Sequence, residues 1–456
     1  MSTVGKKKGE LIAHGTAVVT SNNARVTINH LISDSGGQGD VYHVTFRGHD
    51  YALKWYCKHP EDVIGGVQYQ TISKICGEDK KTSSKFIWPL ILVTETEPSD
   101  GKKFGYLMEL LPEGYFEMEA FLRMDNDARA VRFKNYNAML VAGMNIAAAM
   151  QKIHLKGWSY KDLNPKNFAI HPETGDILVV DNDNVSVDGD LCSVKGTKGY
   201  MAPEIPESNY QKNPTRETDY YSLAMILYRL FFVDHPMEGK AWEKYPLCTD
   251  KVEDHLYAIN PVFHFDPQDD SNRPTEVYAP NALSRWRMFP TELRELFLKT
   301  FTEGIKQPKK RPPENAWIRM ISKTRDKRIR INPEREQFVN FENQKSVLRR
   351  CLGLEIGKKK IALYPKKAVY QISIDGNDHQ YLEMAGGITY NKELDKLMMR
   401  NLTKTVWRGY SPDTNQVTDI GKNQEFPLYP GVRIEFQNGK PSIVGKVFEP
   451  HSDHEG

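Results

Sequence analysis

With 456 residues and a net charge of +3, the chain is long enough for several domains, and its charge balance does not require an acidic partner. The five cysteines are too far apart for a Cys-x-x-Cys metal site, so we expect reduced thiols rather than disulfides. The sequence shows no signal peptide and no apolar run of about 18 residues, which predicts a cytoplasmic protein without a membrane span.

Residues 1–24 are predicted to be a polar arm. From 25 to 110, runs of β-branched and aromatic residues alternate with Gly and Asp/Asn turns, which predicts an antiparallel sheet with one helix near 63–76. The predicted strands are 26–31, 41–46, 51–55, 86–93 and 104–110. These elements form the smaller, β-rich lobe of the expected fold.

After residue 111 the apolar residues recur at helical spacing, most clearly over 136–156, where Gly157 follows as a C-cap. Further helices are predicted over 220–232, 293–302 and 316–322, so a helical lobe occupies 111–322. A basic linker, 323–360, and a small β-rich domain, 361–456, complete the predicted organisation. Acidic residues interspersed among the basic ones favour a solvated linker over a nucleic-acid site.

Two motifs in the β-rich part suggest contacts with phosphate. Ser35-Gly-Gly-Gln-Gly-Asp-Val-Tyr42 lies between two predicted strands, where glycines let backbone N–H groups approach an anion. Tyr51-Ala-Leu-Lys54 then places a lysine at the end of a β run. A glycine turn or a strand lysine alone is ordinary structure, but together they indicate a phosphate site.

The loop Tyr160-Lys-Asp-Leu-Asn-Pro-Lys-Asn167 carries the most specific chemistry. An aspartate such as Asp162 can accept the proton of an attacking hydroxyl, and the amide oxygen of Asn167 can ligate Mg²⁺. Ile177-Leu-Val-Val-Asp181 then ends a buried strand with a carboxylate, a second candidate metal ligand. Gly196-Thr-Lys-Gly-Tyr-Met-Ala-Pro-Glu204 and Glu217-Thr-Asp-Tyr-Tyr-Ser-Leu223 follow in order.

In this order and spacing, the motifs resemble those of the eukaryotic-type (Hanks-type) Ser/Thr protein kinase family over about residues 25–322. The resemblance implies an α+β, bilobal protein kinase fold that binds ATP with Mg²⁺, or with Mn²⁺ in its place. It assigns Asp162 as catalytic base with Lys54, Asn164 and Lys166 beside it, and Asn167 and Asp181 as metal ligands. The implied ATP contacts are Gly36, Gly37, Gly39, Val41, Ala52, Lys54, Met108, Glu109 and Leu111.

The same resemblance implies three supporting roles outside the ATP site. Thr197 matches the threonine that marks Ser/Thr specificity, and Asp219 matches the aspartate that braces the catalytic loop. Glu204 and Arg311 match a buried structural ion pair. Ser186, Ser193 and Thr197 are candidate autophosphorylation sites, with solvated loop hydroxyls as the alternative interpretation.

The departures from the family pattern concern charge. Asp34 replaces the first glycine of the loop, and Lys161 replaces an arginine without offering its two-pronged geometry, which weakens the case for control by loop phosphorylation. Asn164 stands at a position where the family has lysine, and Lys166 is the candidate substitute. Asp183 is a rival to Asp181 for the metal position.

The glutamate expected to pair with Lys54 is also uncertain in position. Alignment of the helix puts Gln68 there, with Glu61 and Glu78 as alternatives. A glutamine would hydrogen-bond the lysine without neutralising its charge.

Asp181-Asn-Asp-Asn-Val185 and His235-Pro-Met-Glu-Gly239 resemble, more narrowly, a bacterial kinase group associated with tellurite-resistance gene clusters. That resemblance implies a von Willebrand-type domain protein and a metal-dependent protein phosphatase as partners, besides a protein substrate. In the terminal domain, Asn401-Leu-Thr-Lys-Thr-Val-Trp407 resembles part of a forkhead-associated module. Its Arg and Ser-x-x-His signature is missing, so we interpret the domain as an interaction or capping unit.

Three hypotheses follow from the sequence. The favoured one is an active Ser/Thr protein kinase, because Lys54, Asp162, Asn167 and Asp181 are all present. A pseudokinase scaffold is the alternative suggested by the charge departures. A small-molecule kinase of the same fold is disfavoured by the Ala-Pro-Glu204 motif.

Overall fold

The computed structural model describes residues 17–34, 38–77, 84–95, 103–123, 126–190, 192, 194–332, 335–339, 341, 351–436 and 442–450. Within them, the chain forms a small barrel, a helical lobe and a terminal pair of sheets. None of the helices in these ranges has the length and hydropathy of a membrane-spanning segment.

Six antiparallel strands at the N-terminal end close into the barrel, in the order β1-β2-β3-β4-β6-β5. Inward-facing Val26, Val44, Leu53 and Trp55 fill its interior. Helix α1, Val67–Gly77, connects β4 to β5 and packs outside the barrel. The strands are β1 Ala17–Thr20, β2 Arg25–Ser33, β3 Gly39–Phe46, β4 His49–Tyr56, β5 Ile91–Glu95 and β6 Phe104–Met108.

Two features of this lobe differ from the predictions. The predicted polar arm of residues 1–24 contains β1, which pairs with β5 and so closes the barrel. The predicted strand 86–93 begins only at Ile91. The residues before it run along the second lobe instead, where Ile87 N donates to Val179 O at 2.9 Å.

Two long helices, α3 and α5, form the centre of the second lobe. A Cβ on Gly143 of α3 would lie 2.8 Å from Phe231 Cζ of α5, so the close approach of these helices requires glycine there. The elements of this lobe are β7 Phe116–Glu117, α2 Met118–Phe121, α3 Tyr136–Leu155, β8 Trp158–Ser159, β9 Phe168–Ile170, β10 Ile177–Val179, β11 Ser186–Val187, α4 Glu204–Glu207, α5 Arg216–Phe232, α6 Asp250–Asp254, α7 Pro280–Arg285, α8 Thr291–Phe301, α9 Glu303–Lys306 and α10 Glu314–Asp326.

The segment predicted to be a basic linker, 323–360, contains regular structure. It includes the end of α10, an antiparallel hairpin of β12 (Arg328–Asn332) and β13 (Arg335–Phe338), and β14 (Leu352–Ile356). Arg328 Nη1 donates to Glu336 Oε1 at 2.5 Å across the hairpin. Basic and acidic residues of this segment therefore neutralise each other within a folded element.

The terminal domain consists of two antiparallel sheets around one apolar core. The six-stranded sheet has the order β15-β14-β23-β22-β19-β20, and the four-stranded sheet has the order β16-β17-β18-β21. Its remaining elements are β15 Lys359–Leu363, β16 Ala368–Tyr370, α11 Gln371–Asp375, β17 Met384–Asn391, β18 Lys396–Asn401, β19 Trp407–Tyr410, β20 Val417–Ile420, β21 Glu425–Leu428, β22 Arg433–Phe436 and β23 Ile443–Phe448.

This domain is docked on the helical lobe through buried polar contacts at the end of α10. Lys367 Nζ donates to Arg325 O at 2.7 Å, Arg328 O at 3.1 Å and Asp326 O at 3.3 Å. Ser373 Oγ donates to Asp326 Oδ1 at 2.8 Å, and Ile372 packs in the apolar core of the helical lobe. The two parts are therefore expected to unfold together.

Replacing Lys367 with methionine is expected to lower the free energy of unfolding by about 1–3 kcal/mol, because buried carbonyls at the end of α10 lose their shared donor. Chemical denaturation followed by fluorescence measures the change. Lys366→Met is the matched control, since the neighbouring lysine side chain is exposed. If both variants were as stable as the wild type, the hydrogen bonds from Lys367 to the end of α10 would contribute nothing to the free energy of unfolding.

Candidate functional site

Lys54 lies on β4, in the middle of the residues predicted to contact ATP. It pairs with Val41 on β3 and with Tyr106 on β6, while Ala52 pairs with Met108. The chain leaves β6 after Met108, and the predicted hinge residues Glu109 and Leu111 that follow are exposed.

The glycine-rich loop is only partly described. Gly36 and Gly37 lie outside the described residues. A Cβ on Gly39 would lie 2.1 Å from Trp55 O, so glycine at this position is required for the pairing of β3 with β4. The side chain of Gln38, beside it, accepts from Lys54 Nζ at 3.3 Å.

The Lys54 ammonium is held between two carboxylates. Lys54 Nζ donates to Asp181 Oδ1 and, at 2.6 Å, to Asp183 Oδ2. Burial disfavours the charged amine, but the two carboxylates outweigh burial and raise the pKa of Lys54. The lysine is therefore positively charged at any physiological pH.

The two carboxylates have different surroundings. The side chain of Asp181 is 42% exposed to the cleft, whereas that of Asp183 is fully buried. Burial within the site and the negative charge of Asp183 raise the pKa of Asp181. The cleft thus presents a carboxylate whose negative charge would be stabilised by an added cation.

The predicted partners of Lys54 do not pair with it in the described residues. Gln68 of α1 instead donates to Tyr56 Oη at 3.2 Å and to Asp183 O at 3.0 Å. Glu61 is exposed, and Glu78 lies outside the described residues. Asp183, predicted as a rival metal ligand, is the second carboxylate on Lys54.

The catalytic-loop residues are joined by a short hydrogen-bond chain. Thr197 Oγ1 donates to Asp162 Oδ1 at 2.7 Å, and Asn164 Nδ2 donates to Thr197 Oγ1 at 3.1 Å. Burial raises the pKa of Asp162, although the bonds from Thr197 and Asn164 act in the opposite direction. A carboxylate in this environment is suited to accept a proton from a hydroxyl group.

Asn167 ends a 3-10 turn that fixes its side chain. Asn164 caps the turn, and Asn167 Oδ1 accepts from Asn164 N at 2.8 Å. Val180 N donates to Asn167 O at 2.8 Å, which brings Asn167 next to the short connection from β10 to Asp181. The Lys166 side chain is exposed, so Asn164 rather than Lys166 reaches Asp162 and Thr197.

Two residues of the site have left-handed backbone, Lys161 with φ 73° and Asp181 with φ 60°. Tyr160 stabilises the backbone at Asp181, because its hydroxyl donates to Val180 O at 2.7 Å and to Asp181 O at 3.1 Å. Asp219 stabilises the backbone at Lys161 by accepting from Lys161 N at 3.0 Å and from Tyr160 N at 2.5 Å. The bracing role predicted for Asp219 is confirmed.

The Lys161 side chain holds the segment that follows Asp181. Lys161 Nζ donates to Ser186 Oγ and, at 3.0 Å, to Asp190 O. Of the candidate autophosphorylation sites, Ser186 is hydrogen-bonded to Lys161 and Thr197 to Asp162, while Ser193 lies outside the described residues.

The predicted ion pair of Glu204 and Arg311 is formed, with Nη–Oε distances of 2.7 and 2.8 Å.

Beneath the loop, His154 bridges two buried carboxylates. Its Nε2 lies 3.1 Å from Asp219 Oδ2, and its Nδ1 contacts Glu314 Oε1. Burial alone would lower the pKa of His154, but the two carboxylates raise it to about 9. The raised value means that the protonated histidine stabilises the fold below pH 6.5, and that this contribution is lost as the pH rises through 9.

We therefore expect the difference in unfolding free energy between wild type and His154→Gln to shrink by about 3 kcal/mol from pH 6.5 to pH 9. Denaturant titrations at several pH values measure it, and the difference isolates His154 from other titrating groups. His379→Gln is the control, since His379 is exposed. A difference that is constant with pH would mean that His154 is neutral in the folded protein.

Sequence reasoning did not identify Gln38, Tyr56, Tyr106 and His154 as residues of this site, nor the contact of Asp183 with Lys54. A signal existed for one of them: Tyr56 follows Lys54 by two residues, so a strand presents both on one face. Tyr106 and Asp183 reach Lys54 only through pairing of β4 with β6 and through contact between the lobes, and His154 meets Asp219 and Glu314 only when α3, α5 and α10 pack together.

Comparisons with known proteins agree with this geometry. A family model described as protein kinase domain matches residues 35–316. A probable cAMP-dependent protein kinase catalytic subunit of Encephalitozoon cuniculi is 29% identical over 164 residues, covering 36% of this chain and 45% of that protein. Serine/threonine-protein kinase WNG2 of Toxoplasma gondii is 32% identical over 158 residues, covering 30% of this chain and 27% of that protein.

Among solved structures, the ROP18 kinase domain in complex with AMP-PNP and sucrose is 16% identical, with a TM-score of 0.43. That match covers 66% of this chain and 81% of the solved chain. The matched part spans less than half the length of the two curated relatives.

Proposed function

Because this chain belongs to the protein kinase family, we propose that it transfers the γ-phosphate of ATP to serine or threonine in protein substrates. The observation that carries the proposal is that the catalytic loop adjoins the ion pair of Lys54 with Asp181. Tyr160 Oη donates to Asp181 O and Val180 N donates to Asn167 O, while Asp162 is bound to Thr197 in the same loop region. Phosphoryl transfer depends mainly on such positioning and on charge neutralisation.

The residues present fit ATP with Mg²⁺, or Mn²⁺ in its place. Asp181 offers a partly exposed carboxylate whose pKa is raised by burial and by the negative charge of Asp183, and Asn167 offers an amide oxygen nearby. When bound, the metal would neutralise the phosphate oxygens. Lys54 would hold the phosphates with its fixed positive charge, and Asp162 would orient the acceptor hydroxyl and receive its proton.

Preference for serine or threonine is supported by Thr197, which touches both Asp162 and Asn164. The relatives named above are described as serine/threonine or cAMP-dependent protein kinases, which agrees with this preference.

A narrower assignment rests on the motifs alone. We propose membership of the bacterial group associated with tellurite-resistance clusters, with a von Willebrand-type domain protein and a metal-dependent phosphatase as partners. The support is the sequence from Asp181 to Val185 and from His235 to Gly239. The terminal domain, docked on α10, would be the capping or interaction unit for such partners.

The experiment is transfer of label from γ-labelled ATP with Mg²⁺ onto the chain itself and onto a generic protein, followed by phosphoamino-acid analysis. Wild type should label serine or threonine, and Lys54→Met should not, since among the described residues Lys54 is the cation that pairs with Asp181. Folded wild-type protein that gives no label with Mg²⁺ or Mn²⁺ would favour a scaffold instead.

A further inference from the structure

The structure raises the question of what anchors Lys54. In active protein kinases this lysine forms an ion pair with a glutamate of the helix that packs against the sheet. Here the corresponding helix, α1, presents the amide of Gln68, which binds Tyr56 and the backbone of Asp183. Within the described residues, the buried carboxylate on Lys54 comes from Asp183.

Hydrogen bonds of the neighbouring Asn182 fix the backbone around Asp183. Asp183 lies in a 3-10 turn, Asn182–Asn184. The side chain of Asn182 fixes that turn by donating to Ile87 O and Val179 O, each at 2.8 Å. The turn is thus held by the segment before β5 and by the end of β10.

The surroundings of the Asp183 carboxylate belong to the barrel rather than to the cleft. Its Oδ2 accepts from Lys54 Nζ, from the Tyr56 hydroxyl and, at 3.5 Å, from the Tyr106 hydroxyl. A fully buried carboxylate is retained only where a cation and hydrogen-bond donors compensate for lost hydration. Lys54 and the two tyrosines supply that compensation.

We propose that Asp183 is the positioning residue for Lys54 and replaces the helix glutamate of other kinases. The proposal deepens the proposed kinase function and rests on it. Asp181 binds the same ammonium but keeps 42% of its side chain exposed, whereas the Asp183 side chain is fully buried against the barrel. The carboxylate that orients Lys54 therefore belongs to the segment that carries Asp181, the proposed metal ligand, and not to α1.

The ion pair of Lys54 with Asp183 does not involve α1, so a movement of α1 should have little effect on it. Moving α1 away from the barrel would break the neutral hydrogen bonds of Gln68 but would leave the ion pair of Lys54 with Asp183 intact. Activity should therefore depend on the segment after Asp181 more than on the position of α1.

A charge swap tests the proposal. Asp183→Asn keeps the shape but removes the charge, and we expect kcat/KM for ATP to fall about 100-fold, mainly through a higher KM for ATP. Adding Gln68→Glu to that variant returns a carboxylate from α1, which is expected to recover about ten-fold of the loss. A purely structural role for Asp183 would not produce this rescue.

The competing role for Asp183 is metal ligation, since its Oδ1 has no hydrogen-bond partner in the described residues. If raised Mg²⁺ restores Asp183→Asn while Gln68→Glu does not, Asp183 is a metal ligand and the proposal fails. It also fails if Asp183→Asn keeps wild-type kinetics. Asp326→Asn, which removes another buried carboxylate in the second lobe, should lower the melting temperature and leave kcat/KM unchanged.

A second readout separates this proposal from the kinase function itself. Lys54 can be labelled with a small amine-reactive ester and quantified by mass spectrometry in wild type and Asp183→Asn. Faster labelling in the variant supports the anchor even if the wild type transfers no phosphate, because the amine loses one of the two carboxylates that hold it in place. Equal labelling rates would overturn the anchor whatever the activity.

Discussion

Replacing Asp162 with asparagine is expected to lower kcat by about 10²–10⁴-fold, the usual contribution of a general base. The asparagine can still accept the hydrogen bond from Thr197 Oγ1, so the loop should keep its shape. The lost function is the acceptance of a proton from the substrate hydroxyl. Initial rates at saturating ATP, together with a thermal unfolding curve, measure both expectations.

Two further variants refine this result. Thr197→Val removes the hydroxyl that links Asp162 to Asn164 but leaves the carboxylate, so a smaller loss of about ten-fold in kcat is expected. Glu173→Gln, a solvent-facing carboxylate ion-paired with Lys134, should behave as wild type. An Asp162→Asn enzyme with more than about a tenth of wild-type kcat would mean that another group receives the proton.

The fold was largely predictable because its signals are local. The runs of apolar residues predicted helices close to α3 and α5, and the ordered motifs predicted a protein kinase, which the family model confirms. Lys54 and Asp181, far apart in the chain, are brought together as the motif order implied.

The rest depended on contacts between distant elements. The basic composition predicts a linker where the hairpin of β12 and β13 forms, because Glu336 neutralises Arg328 only once the two strands pair and bring these side chains together. For the same reason, the sequence alone does not show that Asp183 contacts Lys54. The burial of Asp183 follows from the register of β4 with β6, which places Tyr56 and Tyr106 around it and which no local pattern encodes.

Replacing Arg311 with methionine is expected to lower the free energy of unfolding by about 3–5 kcal/mol, the usual effect of removing one partner of a buried ion pair. The Arg311 side chain is fully buried and binds both oxygens of Glu204, at 2.7 and 2.8 Å. It also donates to Gly304 O and Glu217 O, each at 2.8 Å. The variant would leave the Glu204 carboxylate, whose side chain is only 15% exposed, and two carbonyls without their cation.

Because these contacts join α4, α5 and α9, the loss should appear as a lower midpoint of denaturation for the whole helical lobe. Lys310→Met, next in the chain, removes a cation whose ion pair with Glu303 is partly solvated, and should change stability by less than about 1 kcal/mol. If both variants had the same small effect, the pair would be no more than a surface contact. If only Arg311→Met were destabilised, the buried pair would be what fastens the end of the Thr197–Glu204 segment to the helices beneath it.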